Sequence, residues 1–186
     1  MHSNGRKLTN YKDVKKTAES LRALGERIVL TQGSYDLVHI GHARYLETAK
    51  QHGSVLIVGI DDDKKIQARK GPDRPIVPEE ERIEMVLHLR PVDFVFLKKH
   101  SDPKWHLIKI IRPDVLIATK ETYSRKELTE LKKYCGKVIV LDRMATTSTS
   151  AKIRHLQIKT ANKLERTLMP KLIKALKEVL ESVEKD

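Results

Sequence analysis

His39 and His42 stand three residues apart in the stretch GSYDLVHIGHARYL, and they are two of the eight histidines in a chain of 186 residues. The apolar run just before them, RIVLT at 27–31, reads as a strand, and the segment after them reads as a helix. The pair therefore sits on a turn that opens a helix, where residues three apart face the same side and both imidazoles can address one ligand. The first backbone N–H groups of a helix lack intrahelical partners and attract anions. Gly33 lets backbone approach a ligand closely, and Gly41 leaves room for one between the rings. Free amides, a positive helix end and two imidazole donors are the parts of a polyphosphate site. A zinc site is the competing chemistry. It requires a third His, Cys or Asp ligand, and the neighbouring sequence offers no obvious one.

The elements that must position this turn follow from an alternation along the chain. Short apolar runs, RIVLT (27–31), VLIVGI (55–60), DFVFL (93–97), DVLIA (114–118) and KVIVL (137–141), alternate with amphipathic stretches. The runs are nearly continuous in apolar residues, as expected of parallel strands covered on both faces. Helices are expected over roughly 11–26, 40–52, 79–90, 103–112 and 124–135. Pro78 followed by three glutamates marks one helix start, and Asp102 before Pro103 is expected to cap another. The expected architecture is α/β, a Rossmann-like doubly wound sheet of about five parallel strands with flanking N- and C-terminal helices. The division expected is a helical lead-in (1–26), a central domain (27–156) and a C-terminal amphipathic helix (157–186). In such sheets ligands bind outside the carboxyl ends of the strands where strand order reverses, which is where the histidine turn falls. The C-terminal stripe Leu164, Leu168, Leu172, Leu176, Val179 and Val183 suits packing on the body or on a second subunit better than a membrane surface, since its polar face mixes both signs.

Composition narrows the function classes. No apolar run approaches the roughly 20 residues of a membrane helix, and the N-terminal segment lacks the apolar core of a signal peptide. Cys135 is the single cysteine, which excludes an internal disulfide framework and a cysteine-cluster metal site and suits a cytoplasmic location. With 37 Lys+Arg against 25 Asp+Glu the net charge is +12. Aromatic residues make up 4% and no arginine-rich run occurs, so the excess is read as lysine-rich helix faces or a basic cleft for a small anion, with nucleic acid the lesser alternative.

The stretch GSYDLVHIGHARYL resembles the HxGH signature of the nucleotidyltransferase superfamily, in its cytidylyltransferase-like branch, whose pattern is Gly-x-Phe-Asp-x-x-His-x-Gly-His. Gly33, Asp36, His39, Gly41 and His42 match, and Tyr35 stands where Phe is usual. A later stretch, RMATTSTSAKIR, resembles the family's Arg-Thr-x-Gly-Ile-Ser-Thr-Thr segment, with Arg143, Ser148 and Thr149 retained and Ser150 in place of the last Thr. Hydroxyls and amides opening a helix near 149–156 would form a second anion cradle. The middle stretch KGPDRPIVPEEERIEMVLHLRPVDFVF resembles the adenylyltransferase domain of bacterial ADP-heptose synthases, and the likeness covers roughly residues 11–154. Glycerol-3-phosphate cytidylyltransferases share the HxGH and late Ser-Thr segments, so ATP and CTP both remain open. One departure stands out: ATKETY (118–123) replaces a Lys-Gly-Gly-Asp-Tyr segment of the heptose family.

The resemblance implies nucleotidyl transfer from an NTP to a phosphorylated small molecule such as heptose 1-phosphate, with pyrophosphate released by in-line attack. It assigns His39, His42 and Lys70 to catalysis. Gly33, Ser34, Tyr35, Asp36, Gly41, Arg82, Ser148, Thr149 and Ser150 would hold the nucleotide. Asp61, Asp63 and Arg143 would meet the acceptor, although the Asp61–Asp63 run reads equally as a solvated turn. Mg²⁺ would bridge the phosphates, with Asp36 the nearest carboxylate to support it. Homo-oligomers are expected, and ATKETY leaves room for a nucleotide-binding regulatory module without turnover.

Overall fold

A computed structural model describes residues 5–120, 122–142, 144 and 149–183. The chain separates into a unit spanning Met1–Thr146 and a unit spanning Thr147–Asp186. The first begins with a short strand, β1 (Lys7–Leu8), and helix α1 (Tyr11–Ala23). There follow β2 (Ile28–Gly33), α2 (Ile40–Lys50), β3 (Val55–Asp61), α3 (Asp63–Lys70), α4 (Glu79–Leu87) and β4 (Phe94–Lys98). Helix α5 (His106–Ile111), β5 (Val115–Thr119), α6 (Arg125–Leu131) and β6 (Lys137–Leu141) complete it. The second unit is helix α7 (Thr149–Val183), 35 residues long, in which Pro170 removes one internal hydrogen bond. It runs unbroken through 156/157, so the cradle helix and the C-terminal helix expected from the sequence are one element.

Six strands form one parallel sheet in the order β1-β4-β3-β2-β5-β6. The chain runs outward from β2 through β3 to β4, then returns to the other side of β2 with β5. Strand order therefore reverses at β2. Successive residues of β2 serve opposite faces: Ile28 and Leu30 join the core under α1, α5 and α6, while Val29 joins the core under α2 and α4. Both layers are closed by fully buried aliphatics, Val14, Ala18, Ile108 and Ile111 on one side and Leu46, Ala49 and Val86 on the other. That two-sided burial is what the continuous apolar runs required.

Two elements go beyond the sequence expectation. β1 is two residues long and pairs with the edge of β4, too short to leave a pattern. Helix α3 buries only Ile66 and carries a polar surface, so it has no apolar stripe to reveal it. Asp62 caps it, accepting from the Lys65 N–H at 2.8 Å. One cap moves. Helix α5 starts at His106 rather than at Pro103, and Trp105 precedes it in the left-handed region at φ 60°. Asp102 instead accepts from the Tyr11 hydroxyl at 2.5 Å and the Lys99 N–H at 2.7 Å.

Candidate active site

β2 ends at Gly33, and the chain turns through Ser34, Tyr35, Asp36 and Leu37 before α2 begins. Tyr35 and Leu37 both lie at φ 51°, a conformation costly for residues with side chains and sustained only by surrounding contacts. Asp36 supplies them. Its carboxylate is buried, pairs with the Arg74 guanidinium and accepts from the backbone N–H groups of Ile76 and Val77, each at 3.1 Å from Oδ1. Tyr35 is 4% exposed, and its ring fills the space over Gly33, where an added Cβ would lie 3.0 Å from Cε2. Gly33 thus admits the Tyr35 ring, and that ring is core rather than a nucleotide contact as expected.

The histidines cap α2 reciprocally. His39 Nδ1 accepts from the Gly41 N–H at 3.1 Å, and His42 Nδ1 accepts from the His39 N–H at 3.3 Å. The ring centroids lie 4.2 Å apart, and the His42 ring is 5.5 Å from that of Tyr35. An imidazole whose Nδ1 accepts a backbone proton carries its own proton on Nε2 when neutral. Backbone geometry therefore makes both rings Nε2–H donors at the positive end of α2. Burial first, then the nearby His39 and Lys70, pull the His42 pKa down to about 4, so this donor is neutral at pH 7.

Arg82 departs from its expected role. It is fully buried, and every guanidinium nitrogen is engaged by protein: Nε by the Val77 carbonyl at 2.9 Å, Nη1 by the Asp61 carbonyl at 2.9 Å and the Ser34 carbonyl, and Nη2 by Asp63 Oδ1 at 2.6 Å. Rather than meeting a triphosphate, Arg82 ties α4 to the end of β3 and to the histidine turn. Its position on the stripe Arg82, Ile83, Val86 and Leu87 is the signal that marks it as inward-facing. Asp63 is committed to this clasp. Ser34 is also engaged, its Oγ accepting from Arg69 Nη2 at 2.7 Å.

Asp61 closes β3 at a basic cavity of about 500 Å³ beyond the carboxyl ends of β2, β3 and β4. It is 2% exposed, with Lys98 Nζ at 2.8 Å from one oxygen and Arg69 Nη2 at 3.2 Å from the other. Lys70, at the end of α3, shares this cavity with Gly33. Partial burial, then Arg69 and Arg74, lower its pKa. Lys98, Arg69, Trp105 and Tyr123, which carry no local sequence signal, line the same space. Arg143 and Ser148 lie outside the described residues. The backbone of Thr149 and Ser150 opens α7, and their side chains lie outside the description.

Among the described residues no group of three His, Cys, Asp or Glu gathers as a metal cluster, so the zinc alternative lacks its third ligand there. Asp36 does not fit as a direct Mg²⁺ ligand in this arrangement, because Arg74 and two backbone amides already occupy its oxygens.

The description of cytidylyltransferase-like proteins matches residues 30–167, from β2 into α7. The chain belongs to the cytidylyltransferase-like family. Membership in this family makes it a nucleotidyltransferase by class. It is 39% identical over 153 residues to the bifunctional protein HldE of Methylobacillus flagellatus, an alignment covering 81% of this chain and 31% of that protein. The HldE of Hahella chejuensis is 35% identical over 83% of this chain and 33% of its own length. The chain thus spans about a third of these relatives. Among solved structures, a lipopolysaccharide core biosynthesis protein from Thermoplasma volcanium is 26% identical, with a TM-score of 0.55 over 64% of this chain and 98% of that one. Pantoate-beta-alanine ligase from Francisella tularensis is 18% identical, with a TM-score of 0.59 over 88% of this chain and 78% of that one, and shares the fold.

Proposed function

We propose that this cytidylyltransferase-like chain transfers an NMP from ATP or CTP to the phosphate of a small molecule, in the first instance a sugar phosphate such as heptose 1-phosphate, and releases pyrophosphate. The observation that carries this reading is the reciprocal capping of His39 and His42, which engages both Nδ1 atoms with backbone amides and leaves Nε2 as the nitrogen each ring can present to a ligand beside a basic cavity at the point where strand order reverses. An acceptor phosphate oxygen attacks the α-phosphorus. The new O–Pα bond forms as the Pα–O bridge to the β-phosphorus breaks, and pyrophosphate leaves with the bonding electrons.

A phosphate nucleophile is largely ionised at neutral pH, so no side chain has to remove a proton. The work left to the protein is positioning and stabilising charge on the phosphoryl oxygens. His39 and His42 donate from Nε2, the α2 amides add their dipole, and Lys70 supplies a full charge. Mg²⁺, which prefers phosphate oxygens and water to a protein cage, would neutralise the phosphates when bound. A cytoplasmic setting, where NTPs are plentiful, suits this reaction. Glycerol 3-phosphate and phospho-alcohols with CTP form the alternative substrate set.

The test is a matrix of four NTPs against sugar phosphates, glycerol 3-phosphate, phosphoethanolamine and phosphocholine, read by pyrophosphate release. Turnover with at least one pair is expected. NTP binding without turnover in any pair would assign the chain to a regulatory role instead.

A further inference from the structure

Helix α7 is asymmetric along its length in two ways. The first is charge. From Thr149 to Leu176 the sequence carries seven Lys and Arg against one acid, Glu165, whereas residues 177–186 carry four acids against two lysines. The second is side-chain size. Leu164, Leu168, Leu172 and Leu176 fill an apolar row from the middle of the helix onward, each more than half exposed. Just before that row, Thr160 and Ala161 are small, and with Ile153, Leu156, Gln157 and Leu164 they line a hollow of about 440 Å³. Pro170 lies roughly 200° round the helix from Leu168 and Leu172, so the hydrogen bond it removes is on the side away from the row.

A leucine row at helical spacing, with polar residues round the rest of the helix, is suited to pairing with another helix. In a parallel, in-register pair each residue would stand abreast of its own copy. Lysine and arginine would then face lysine and arginine over most of the length, and the small Thr160–Ala161 step would meet itself and leave the hollow unfilled. Both are unfavourable, the first through like-charge repulsion and the second through lost packing. Reversing the second helix about Arg166 removes both faults. Leu164 then opposes Leu168, Leu172 opposes Thr160 beside Ala161, and Leu176 opposes Leu156. The large side chains of one copy enter the hollow of the other. The same pivot brings position 178, a glutamate, level with position 154, an arginine, so the acidic end of each helix meets the basic half of the other.

We propose that α7 is a self-association surface covered by a second α7 running antiparallel, pivoted at Arg166, with the Thr160–Ala161 hollow as the socket for Leu172 of the other copy. The inference is independent of the reaction proposed above. It concerns the orientation and register of the pair, which the leucine row alone does not specify.

Cysteine cross-linking in the full chain tests it, in a Cys135→Ser background that removes the single native thiol. Chains carrying Thr160→Cys and chains carrying Leu172→Cys, one set with a size tag, are mixed, oxidised and separated by non-reducing electrophoresis. Folding of each variant is checked by circular dichroism. The expected main product joins a tagged chain to an untagged one, and either variant oxidised alone stays uncross-linked. Disulfides formed within the Thr160→Cys set or within the Leu172→Cys set would mark a parallel pair and overturn the proposal. Sedimentation of the otherwise unchanged chain gives a second readout, with a mass of twice 21.4 kDa expected. Glu178→Lys combined with Glu181→Lys is expected to weaken association about 5-fold at low salt and less at high salt, the scale of surface ion pairs. A dimer that neither cysteine position joins overturns the proposal, as does a charge reversal that leaves association unchanged or tightens it. So does a monomeric chain, and if that monomer sediments with phosphatidylglycerol vesicles the row belongs to a lipid surface instead.

Discussion

Under the proposed reaction His42 bears on both catalysis and stability, and the two can be measured apart. Replacing it with Ala removes one donor from the phosphoryl oxygens and is expected to cost about 100- to 1,000-fold in turnover. The circular dichroism spectrum should be retained, since the ring is only partly buried. Full pyrophosphate release by His42→Ala would refute the assignment. The folded chain holds His42 neutral to about pH 4, below the ordinary value of 6.5. Between these values the unfolded chain binds more protons, so this contribution to stability is complete above pH 6.5 and is lost as pH falls toward 4. A urea midpoint that declines over this window, with an NMR titration of His42 centred near 4, is the expected result. A midpoint near 6.5 would contradict it. Activity below neutrality should instead follow the acceptor phosphate, whose second ionisation lies near pH 6.

At the scale of elements, the turn between β2 and α2 is only as rigid as its clasps. Asp36 with Arg74 anchors it from one side, and Arg82 anchors it from α4. Breaking a buried ion pair by removing one partner typically costs about 3 kcal/mol or more. Asp36→Ala is therefore expected to lower unfolding stability by that order in urea titration, along with catalysis, because both left-handed residues lose their support. An Asp36→Ala variant of wild-type stability would show that the brace is dispensable. β3 makes a parallel case. A Cβ on Gly59 would lie 2.7 Å from Leu107 Cδ2, 2.8 Å from Lys98 Cδ and 3.2 Å from Gln32 Cγ. Gly59→Ala should cost roughly 1–3 kcal/mol as an overpacked site. It should also displace Lys98 and Gln32 at the wall of the basic cavity, and urea titration of the variant measures the cost.

At the scale of the molecule, α7 is the element with an open apolar row. Leu164, Leu168, Leu172 and Leu176 are each more than half exposed in a single chain, along a helix roughly 50 Å long. No helix among the described residues is long and apolar enough to cross a membrane. Such a row is expected to be covered by a second copy of the chain. Sedimentation at micromolar concentration should then give a mass above the 21.4 kDa of one chain. The double variant Leu168→Glu, Leu172→Glu should return the mass to that value. A monomeric wild-type chain would end this expectation.

Local pattern alone determined a good part of this protein. The continuous apolar runs specified parallel strands, and Gly33 with His39, Gly41 and His42 specified a strand-to-helix turn carrying donors. Those signals lie within a few residues of one another, where period and turn chemistry are legible. Other features had no local signature. Arg82 could be a surface cation or a buried clasp, and only its contacts with Ser34, 48 positions away, decided for the clasp. Asp61, Lys98 and Trp105 belong to separate elements and become one cavity wall when β3, β4 and the segment before α5 come together. Hydrogen-bond partners and electrostatic neighbours are set by distance in space, which chain order does not record. Thus the strand-to-helix turn with its two histidines was readable from the sequence, whereas the partners of each cation and the make-up of the basic cavity were decided by the tertiary structure.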